Sequence, residues 1–200
     1  RKRFGSLECT VITDSLLEKM KNAGFCDSFH LSMQSGSDSV LKRMNRHYTS
    51  KEFLDKIALI RKHFPDAGIT TDVIVAFPGE TEAEFVESLN TVEKAKFLDM
   101  HVFPYSVRPG TKAAEMEQVP SKIADERVDR MLKLKAESNR EFICSMIGYE
   151  GNVFVEDSEG EYNVGFMPNY VKVYTKAPVG TYTKHKLVEY YKNGAIGEQL

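Results

Sequence analysis

The periodicity of the apolar residues constrains the fold of this chain more than any other feature. Up to about residue 145, short runs with apolar residues at every second position alternate with longer runs that have the helical period of 3.6 residues. Strands are predicted at 3–7, 29–34, 71–77 and 100–105. Helices are predicted at about 14–22 and, after a Ser50 cap, at 51–63. A third helix is predicted to begin at a Thr81 capping box, and a fourth to run from a Ser121 cap to about Cys144. A short helical turn is predicted after Ser37. This β-α order, repeated four times, predicts parallel strands joined by helical crossovers.

The polar residues at the strand ends help to choose between two such folds. Four β-α units are compatible with part of an eight-fold barrel or with most of a doubly wound sheet. Each predicted strand ends in polar side chains, and barrels of this type place their active sites at the carboxyl ends of the strands. These residues are Ser6, Glu8, Ser32, Gln34, Asp72, Tyr105 and Ser106. The sequence therefore favours a partial (β/α) barrel of about four units.

The pattern changes after Gly148. Short strands are predicted at 152–156, 162–166, 171–175 and 186–191, and turn-forming sequences separate them. Strands spaced in this way predict a small antiparallel β-barrel. The expected domains are therefore residues 1–147 and residues 148–200.

Composition excludes several classes of protein. The net charge of −2 over 200 residues provides no overall attraction for nucleic acid or anionic membranes, and no apolar run is long enough to span a membrane. Three widely separated cysteines, Cys9, Cys26 and Cys144, argue against a disulfide framework and favour a reducing, cytoplasmic location. Because Arg1 already lies next to a predicted strand, we expect the chain to be a piece of a longer protein.

Three long motifs carry a resemblance to a known family. They are HLSMQSGSDSVLKRMNRHYT, TTDVIVAFPGETEAEF and HVFPYSVRPGTKAAEM, and they occur in this order. Together they resemble the second half of the radical S-adenosylmethionine methylthiotransferases. RFGSLE and MNRHYT resemble the branch that acts on threonylcarbamoyladenosine in tRNA, and GFMPNYVKV resembles the core of the TRAM domain that ends such enzymes.

The resemblance implies a set of cofactor-binding residues. Ser32 and Gln34 would form hydrogen bonds with S-adenosylmethionine, and Gly36 would let the backbone pass close to it. Ser35 and Ser37 can also be read as turn and capping residues, which is the reading we prefer for Ser37.

Other parts of the same implied site lie at the remaining strand ends. Glu8 would hold the substrate or the cofactor's amino group, and Asp72 would either bind loop amides or face the reacting centre. Ala76 and Phe77 would border the adenine; Ala76 replaces the family's usual glycine, and its extra methyl group is tolerable if its φ is negative. Glu80 is read as a first-turn helix carboxylate.

The resemblance also implies contacts with RNA. Tyr105 and Arg108 would line the top of the site. Aromatic and basic residues of the barrel would contact the anticodon stem-loop of a tRNA, namely Tyr170, Lys172, Tyr174 and Lys176. Read without the resemblance, the lysines are a solvated edge, because residues 143–200 hold five Lys and seven acidic side chains.

The cofactors that the family uses limit the activity that we expect of this chain alone. The parent enzymes use S-adenosylmethionine and two [4Fe-4S] clusters to add a methylthio group to C2 of an adenosine next to the anticodon. This sequence has no CxxxCxxC motif, so we expect it to bind neither cluster, to contain no catalytic residue and to be inactive alone. The alternatives are a tRNA-binding module without chemistry, or an enzyme acting on isopentenyladenosine or a ribosomal protein. The unpaired edge of the first strand also predicts self-association.

Overall fold

A four-stranded parallel sheet forms the first part of the computed structural model, which describes residues 1–200. Its strands are β1 (Ser6–Leu7), β2 (Ser28–Leu31), β3 (Gly68–Val75) and β4 (Asp99–Pro104), and they lie side by side in chain order. All three strand pairs are parallel, as the repeated β-α order predicts. The sheet and its helices therefore form an α/β unit.

The helices begin at residues that suit helix starts. They are α1 (Asp14–Asn22), α2 (Asp38–Arg43), α3 (Ser50–His63), α4 (Glu82–Ala95) and α5 (Ser121–Ser145). Thr13 caps α1, and Thr49 and Thr81 form capping boxes with Glu52 and Glu84. The prediction of Ser50 and Ser121 as caps was wrong by one position, because each is the first residue of its helix and the preceding residue is the N-cap.

The two faces of the sheet differ in character. On β3, the side chains of Ile69, Val73 and Val75 are buried in the core that the helices cover. The alternate residues Thr70 and Asp72 lie on the opposite face, called the open face below, and remain partly exposed. One face therefore carries the apolar core and the other presents polar groups.

Residues 150–199 form a closed five-stranded barrel in the order β5-β6-β7-β9-β8. Its strands are β5 (Glu150–Glu159), β6 (Tyr162–Phe166), β7 (Lys172–Thr175), β8 (Tyr182–Tyr191) and β9 (Gly194–Gln199). The prediction of an antiparallel barrel was wrong in one respect, because β7 and β9 pair in parallel. The prediction also missed β9 and began β8 four residues late. Gly194 and Gly197 lower the strand propensity of β9, yet a Cβ at either would lie 2.3–2.4 Å from β7 atoms.

The barrel is joined to the end of the sheet at which the strands begin. A Cβ on Gly68, the first residue of β3, would lie 1.9 Å from the backbone oxygen of Asn169. The Asn169 side chain also donates to the backbone oxygen of Asp66. Ile143 and Met146, at the end of α5, are buried in the apolar core of the barrel. The contact at Gly68 and the shared helix together attach the barrel at the end opposite the carboxyl ends of the strands.

No helix of the chain is both long enough and apolar enough to cross a membrane.

Candidate functional site

The carboxyl ends of β1, β2 and β3 bring several of the predicted cofactor residues together. The Ser32 and Ser6 hydroxyls are 2.7 Å apart, and the Ser32 amide donates to the backbone oxygen of Leu7. The backbone amide of Gln34 donates to the backbone oxygen of Asp72 at 2.9 Å. The predicted strand to Gln34 was too long, because β2 ends at Leu31 and Gln34 has a left-handed φ of 64°. The residue still pairs with β3 through an isolated bridge to Val73.

Asp72 lies on the open face of the sheet and binds another side chain of that face. Its carboxylate is 3.1 Å from Nε2 of His30, whose Nδ1 is 2.8 Å from the Thr70 hydroxyl. The His101 ring on β4 lies 6.0 Å from the His30 ring, measured between centroids. The Asp72 side chain therefore bonds to a histidine of the same face and to no loop amide, and the reading that it faces the reacting centre stays a prediction.

The turn after β3 is held by a buried ion pair. The Glu80 carboxylate accepts from the Ala76 amide at 2.8 Å, and Arg127 on α5 donates to the same oxygen at 2.8 Å. The two side chains are 1% and 5% exposed, so the charges are almost completely desolvated. The reading of Glu80 as a first-turn helix carboxylate was wrong. Burial raises the pKa of Glu80, and the Ala76 amide and the Arg127 guanidinium oppose this effect.

Ala76 does not have the negative φ at which the sequence analysis found its extra methyl group tolerable. Its φ is +57°, in the left-handed region that costs an alanine about 1–2 kcal/mol relative to the usual helical region. The hydrogen bond from its amide to Glu80 stabilises this conformation. The turn therefore keeps the backbone geometry of a glycine position although the residue is an alanine.

Phe77 and Tyr105 close the top of the sheet next to this turn. Their rings meet edge to face with centroids 5.3 Å apart, and Phe77 is buried. The Tyr105 hydroxyl is buried and has no hydrogen-bond partner within the chain. Arg108 lies farther along the same loop and is exposed. The unpartnered hydroxyl is the kind of group that a bound polar ligand would satisfy.

Glu8 directly follows β1, at the carboxyl end of that strand. Its carboxylate is half exposed and is 3.9 Å from the guanidinium of Arg46. The structure therefore places Glu8 beside β1 in a solvated position, next to a cation of the loop before α3.

The loop 35–37 contacts α4 rather than open space. A Cβ on Gly36 would lie 2.6 Å from Cβ of Thr91 and 2.8 Å from Cα of Ser88. The expectation that Gly36 approaches the ligand was therefore wrong, since the missing side chain makes room for a helix. Ser37 occupies the N-cap position of α2 but forms no capping hydrogen bond, and its hydroxyl donates to Glu87 instead.

A second ion pair joins α2 to α4 below this loop. Arg43 donates both guanidinium NH₂ groups to the Glu84 carboxylate at 2.8 Å, and Ser39 donates to it as well. The hydrogen bonds from Arg43 are the largest cause of a Glu84 pKa well below its usual range. This pair and the capping box of Thr81 share one carboxylate, which fixes the start of α4 relative to α2.

The chain fits S-adenosylmethionine better than it fits an iron–sulfur cluster. Ser32, Gln34, Asp72 and the orphaned Tyr105 hydroxyl offer hydrogen-bonding groups near one end of the open face. The cysteines are unsuited to a cluster, because no three Cys, His, Asp or Glu side chains lie together. Cys9 is also buried, and burial raises the pKa of its thiol to about 11, so it remains protonated.

Tyr174 does not provide the RNA-stacking ring that was predicted. It is fully buried, and its hydroxyl donates to the side-chain oxygen of Asn193 at 2.7 Å. The prediction of Tyr174 as an RNA contact was therefore wrong, because a base cannot stack on a buried ring. Tyr170, in contrast, is 38% exposed and stacks on Phe166 with centroids 4.7 Å apart.

The lysines of the barrel are paired with glutamates. Lys172 binds the Glu159 carboxylate and is 18% exposed, and Lys176 is 3.3 Å from Glu161. Lys184 and Lys192 form similar pairs with Glu150 and Glu159. Because Lys172 and Lys192 share Glu159, these four lysines have three glutamate partners, and the pairing offsets most of their positive charge.

An exposed row of aromatic side chains on the barrel was not predicted. Phe154 on β5 is the cross-strand partner of Phe166 on β6 and of Tyr182 on β8. Phe154 and Tyr182 are 40% and 57% exposed. The alternation of Phe154 with the buried Val153 and Val155 indicated an outward ring. The row itself depends on strand register, which the sequence does not specify.

Comparison with known proteins places this chain in a class. Residues 5–92 match the Radical SAM superfamily. The fold is also similar to the solved structure of coproporphyrinogen III oxidase from Escherichia coli, a radical SAM enzyme, with a TM-score of 0.56 at 14% identity over 98% of this chain and 50% of that one. The first part of the chain therefore has a radical SAM fold.

Sequence relatives indicate which enzymes of this class the chain resembles. The chain is 39% identical to the threonylcarbamoyladenosine tRNA methylthiotransferase of Bacillus subtilis over 94% of its own length and 44% of that protein. It is 43% identical to the tRNA-2-methylthio-N(6)-dimethylallyladenosine synthase of Corynebacterium diphtheriae over 82% of its length and 32% of that protein. The chain is therefore similar over most of its length to these tRNA-modifying enzymes, carries the Radical SAM match in its first half, and spans less than half the length of these relatives.

The buried pair of Glu80 and Arg127 leads to a stability prediction. Arg127→Met leaves the Glu80 carboxylate buried without its cation, so we expect the free energy of unfolding to fall by about 3–5 kcal/mol. Urea unfolding followed by circular dichroism measures the change. The double variant Glu80→Gln with Arg127→Met removes both charges and should recover part of the loss. An Arg127→Met protein as stable as the unchanged chain would contradict the assignment.

The Glu84 carboxylate leads to a prediction about pH. Because its pKa is lowered in the folded state, it contributes stability above its unfolded pKa and loses that contribution as the pH falls toward the folded value. Glu84→Gln should therefore be less stable than the unchanged chain at pH 7, and the two unfolding free energies should converge below about pH 4. Parallel curves across this range would show that Glu84 is not coupled to folding.

Proposed function

We propose that the chain is part of an enzyme that adds a methylthio group to N6-threonylcarbamoyladenosine next to the anticodon of a tRNA. The observation that carries the proposal is the alignment with the Bacillus subtilis relative, which includes both the sheet and the barrel. The dimethylallyladenosine synthase of Corynebacterium diphtheriae aligns with a smaller part of the chain. Action on isopentenyladenosine is therefore the main alternative, and action on a ribosomal protein is a more distant one.

The proposal assigns the open face of the sheet to S-adenosylmethionine. In this reading the sheet is part of a larger (β/α) barrel, and Ser32, Gln34 and Asp72 bind the cofactor, with Glu8 at the edge. The turn at Ala76 and Phe77 borders the adenine. When bound beside a reduced [4Fe-4S] cluster, S-adenosylmethionine supplies the radical that removes a hydrogen atom from the substrate. The residues of this chain bind and orient the cofactor and contribute no cluster ligand.

The proposal assigns the barrel and the loop after β4 to tRNA. Tyr170 offers an exposed ring, and Arg108 offers an unburied guanidinium for a phosphate or carboxylate. Lys172 and Lys176 can contact phosphates only by exchanging their glutamate partners. A module that binds tRNA without chemistry is the second candidate, and the separation of the three cysteines favours it for this chain taken alone.

The test of the proposal is direct binding to an anticodon stem-loop. We expect the chain to bind a fluorescein-labelled stem-loop that carries threonylcarbamoyladenosine more tightly than the same loop with unmodified or isopentenyl adenosine. Fluorescence anisotropy over a salt series measures the affinities and the number of phosphates contacted. A preference for the isopentenyl loop would select the main alternative. Equal binding to all loops would remove substrate recognition from these residues.

We also propose that copies of the chain associate through the free edge of β1. This strand pairs only with β2, and its other edge presents unpaired backbone groups. Because β1 has only two residues, we expect weak association. Small-angle X-ray scattering should show a mass that rises with protein concentration. A constant monomer mass at the highest concentration would contradict self-association.

A further inference from the structure

The peptide group between Ala76 and Phe77 has no hydrogen-bond partner within the chain. Its carbonyl oxygen, which belongs to Ala76, accepts no hydrogen bond, and its amide, which belongs to Phe77, donates none. The two residues are buried, at 5% and 6% exposed. Buried peptide groups without a partner are rare in folded proteins, because nothing replaces the hydrogen bonds that they made with water. The turn after β3 therefore presents buried backbone groups that a bound ligand would satisfy.

The direction of this peptide group depends on the backbone conformation of Ala76. Its φ of +57° is one that alanine adopts rarely. The Ala76 amide donates to Oε2 of Glu80 at 2.8 Å, and the Glu80 amide closes the turn by donating to the Phe77 oxygen at 2.8 Å. Without the bond to Oε2, Ala76 would favour a negative φ, and the peptide group that follows it would point in another direction.

Arg127 keeps the Glu80 carboxylate in this position. Its Nη1 donates to Oε2 of Glu80 at 2.8 Å and to the backbone oxygen of Glu80 at 2.9 Å. The oxygen that Arg127 binds is thus the one that accepts from the Ala76 amide. A carboxylate as buried as that of Glu80 would take up a proton without its cation, and a neutral carboxyl group is a weaker acceptor. The guanidinium therefore supports the conformation of Ala76 through one shared oxygen atom.

We infer that Arg127 is a positioning residue for the adenine of S-adenosylmethionine and acts through Glu80 and the backbone of Ala76. Arg127 is itself buried on α5, and its contacts are with Glu80, Glu82 and the ring of Phe85. The inference rests on the proposed function, which places the turn at the adenine. The buried ion pair then has a second role beside its contribution to stability, because it determines how the turn presents its unpartnered peptide group.

The test measures the binding of 5′-methylthioadenosine by nuclear magnetic resonance. This compound carries the adenine and the ribose of S-adenosylmethionine without its amino and carboxyl groups, so its binding reports on the part of the site next to Ala76. The variants are Arg127→Met, Ala76→Gly and the two combined. In chains labelled with ¹³C and ¹⁵N at alanine, the one-bond coupling between Cα and Hα of Ala76 distinguishes a positive from a negative φ.

A control variant separates positioning from stability. Ile143 is fully buried at the other end of α5, in the core of the barrel. Ile143→Ala therefore lowers stability by an amount similar to that of Arg127→Met and leaves the ion pair with Glu80 intact. Thermal unfolding checks that each variant is folded at the temperature of the binding measurement.

We expect Arg127→Met to bind 5′-methylthioadenosine about 5- to 30-fold more weakly than the unchanged chain, because Ala76 must return to its left-handed conformation on binding. The coupling of Ala76 should shift toward the value for a negative φ. Ala76→Gly alone should bind within about threefold of the unchanged chain, and adding it to Arg127→Met should restore most of the affinity, since glycine adopts a positive φ without cost. Ile143→Ala should stay within about twofold, because its cavity is far from the turn.

Several results would overturn the inference and leave the proposed function standing. They are unchanged affinity in Arg127→Met, an equal loss in Ile143→Ala, and a loss in Arg127→Met that Ala76→Gly does not restore. If Arg127→Met does not fold, Glu80→Gln combined with Arg127→Met replaces it, since this pair of changes buries no charge; the neutral amide oxygen accepts more weakly than a carboxylate, so we expect a smaller loss with the same rescue. Failure of the unchanged chain to bind 5′-methylthioadenosine would overturn both the inference and the assignment of the turn to the adenine.

Discussion

Helix α5 is the constraint on which the arrangement of this chain depends. Near its start, Arg127 forms the buried ion pair with Glu80 at the turn after β3. Farther along, Ser138 and Asn139 donate to the backbone oxygens of Phe97 and Leu98 just before β4. In its last turn, Ile143 is buried in the apolar core of the barrel. A helix of 25 residues is about 37 Å long, so one rigid element contacts the carboxyl end of the sheet, its amino end and the barrel.

The conformation of the turn at the top of β3 follows from this arrangement. Ala76 would prefer a negative φ, and the Glu80 carboxylate holds its amide in the left-handed region instead. Glu80 can be buried as an anion only because Arg127 reaches it from α5. Strain of this kind persists where the surrounding structure stabilises it, and it is common near binding sites. The packing of a distant helix therefore determines the backbone that lies next to the proposed cofactor.

Local signals in the sequence predicted much of the fold. The Thr81 capping box and the strand in the apolar run of β3 depend on neighbouring residues, and these predictions were confirmed. Predictions that depended on distant partners were less successful. Tyr174 is buried by strands that the sequence does not place, and Gly36 faces a helix that lies 50 residues later in the chain. The aromatic row needed the register of three strands, which only the folded barrel defines.

The contact at Gly68 also fixes the distance between the barrel and the turn after β3. Asn169 of the barrel contacts Gly68, the first residue of β3, and precedes Tyr170 in the chain. Ala76 follows the last residue of the same strand. With eight residues at about 3.3 Å each, β3 separates these two places by about 26 Å. The length of β3 therefore fixes the distance between the aromatic row and the turn at Ala76. A single nucleotide is too short to reach both ends of this strand.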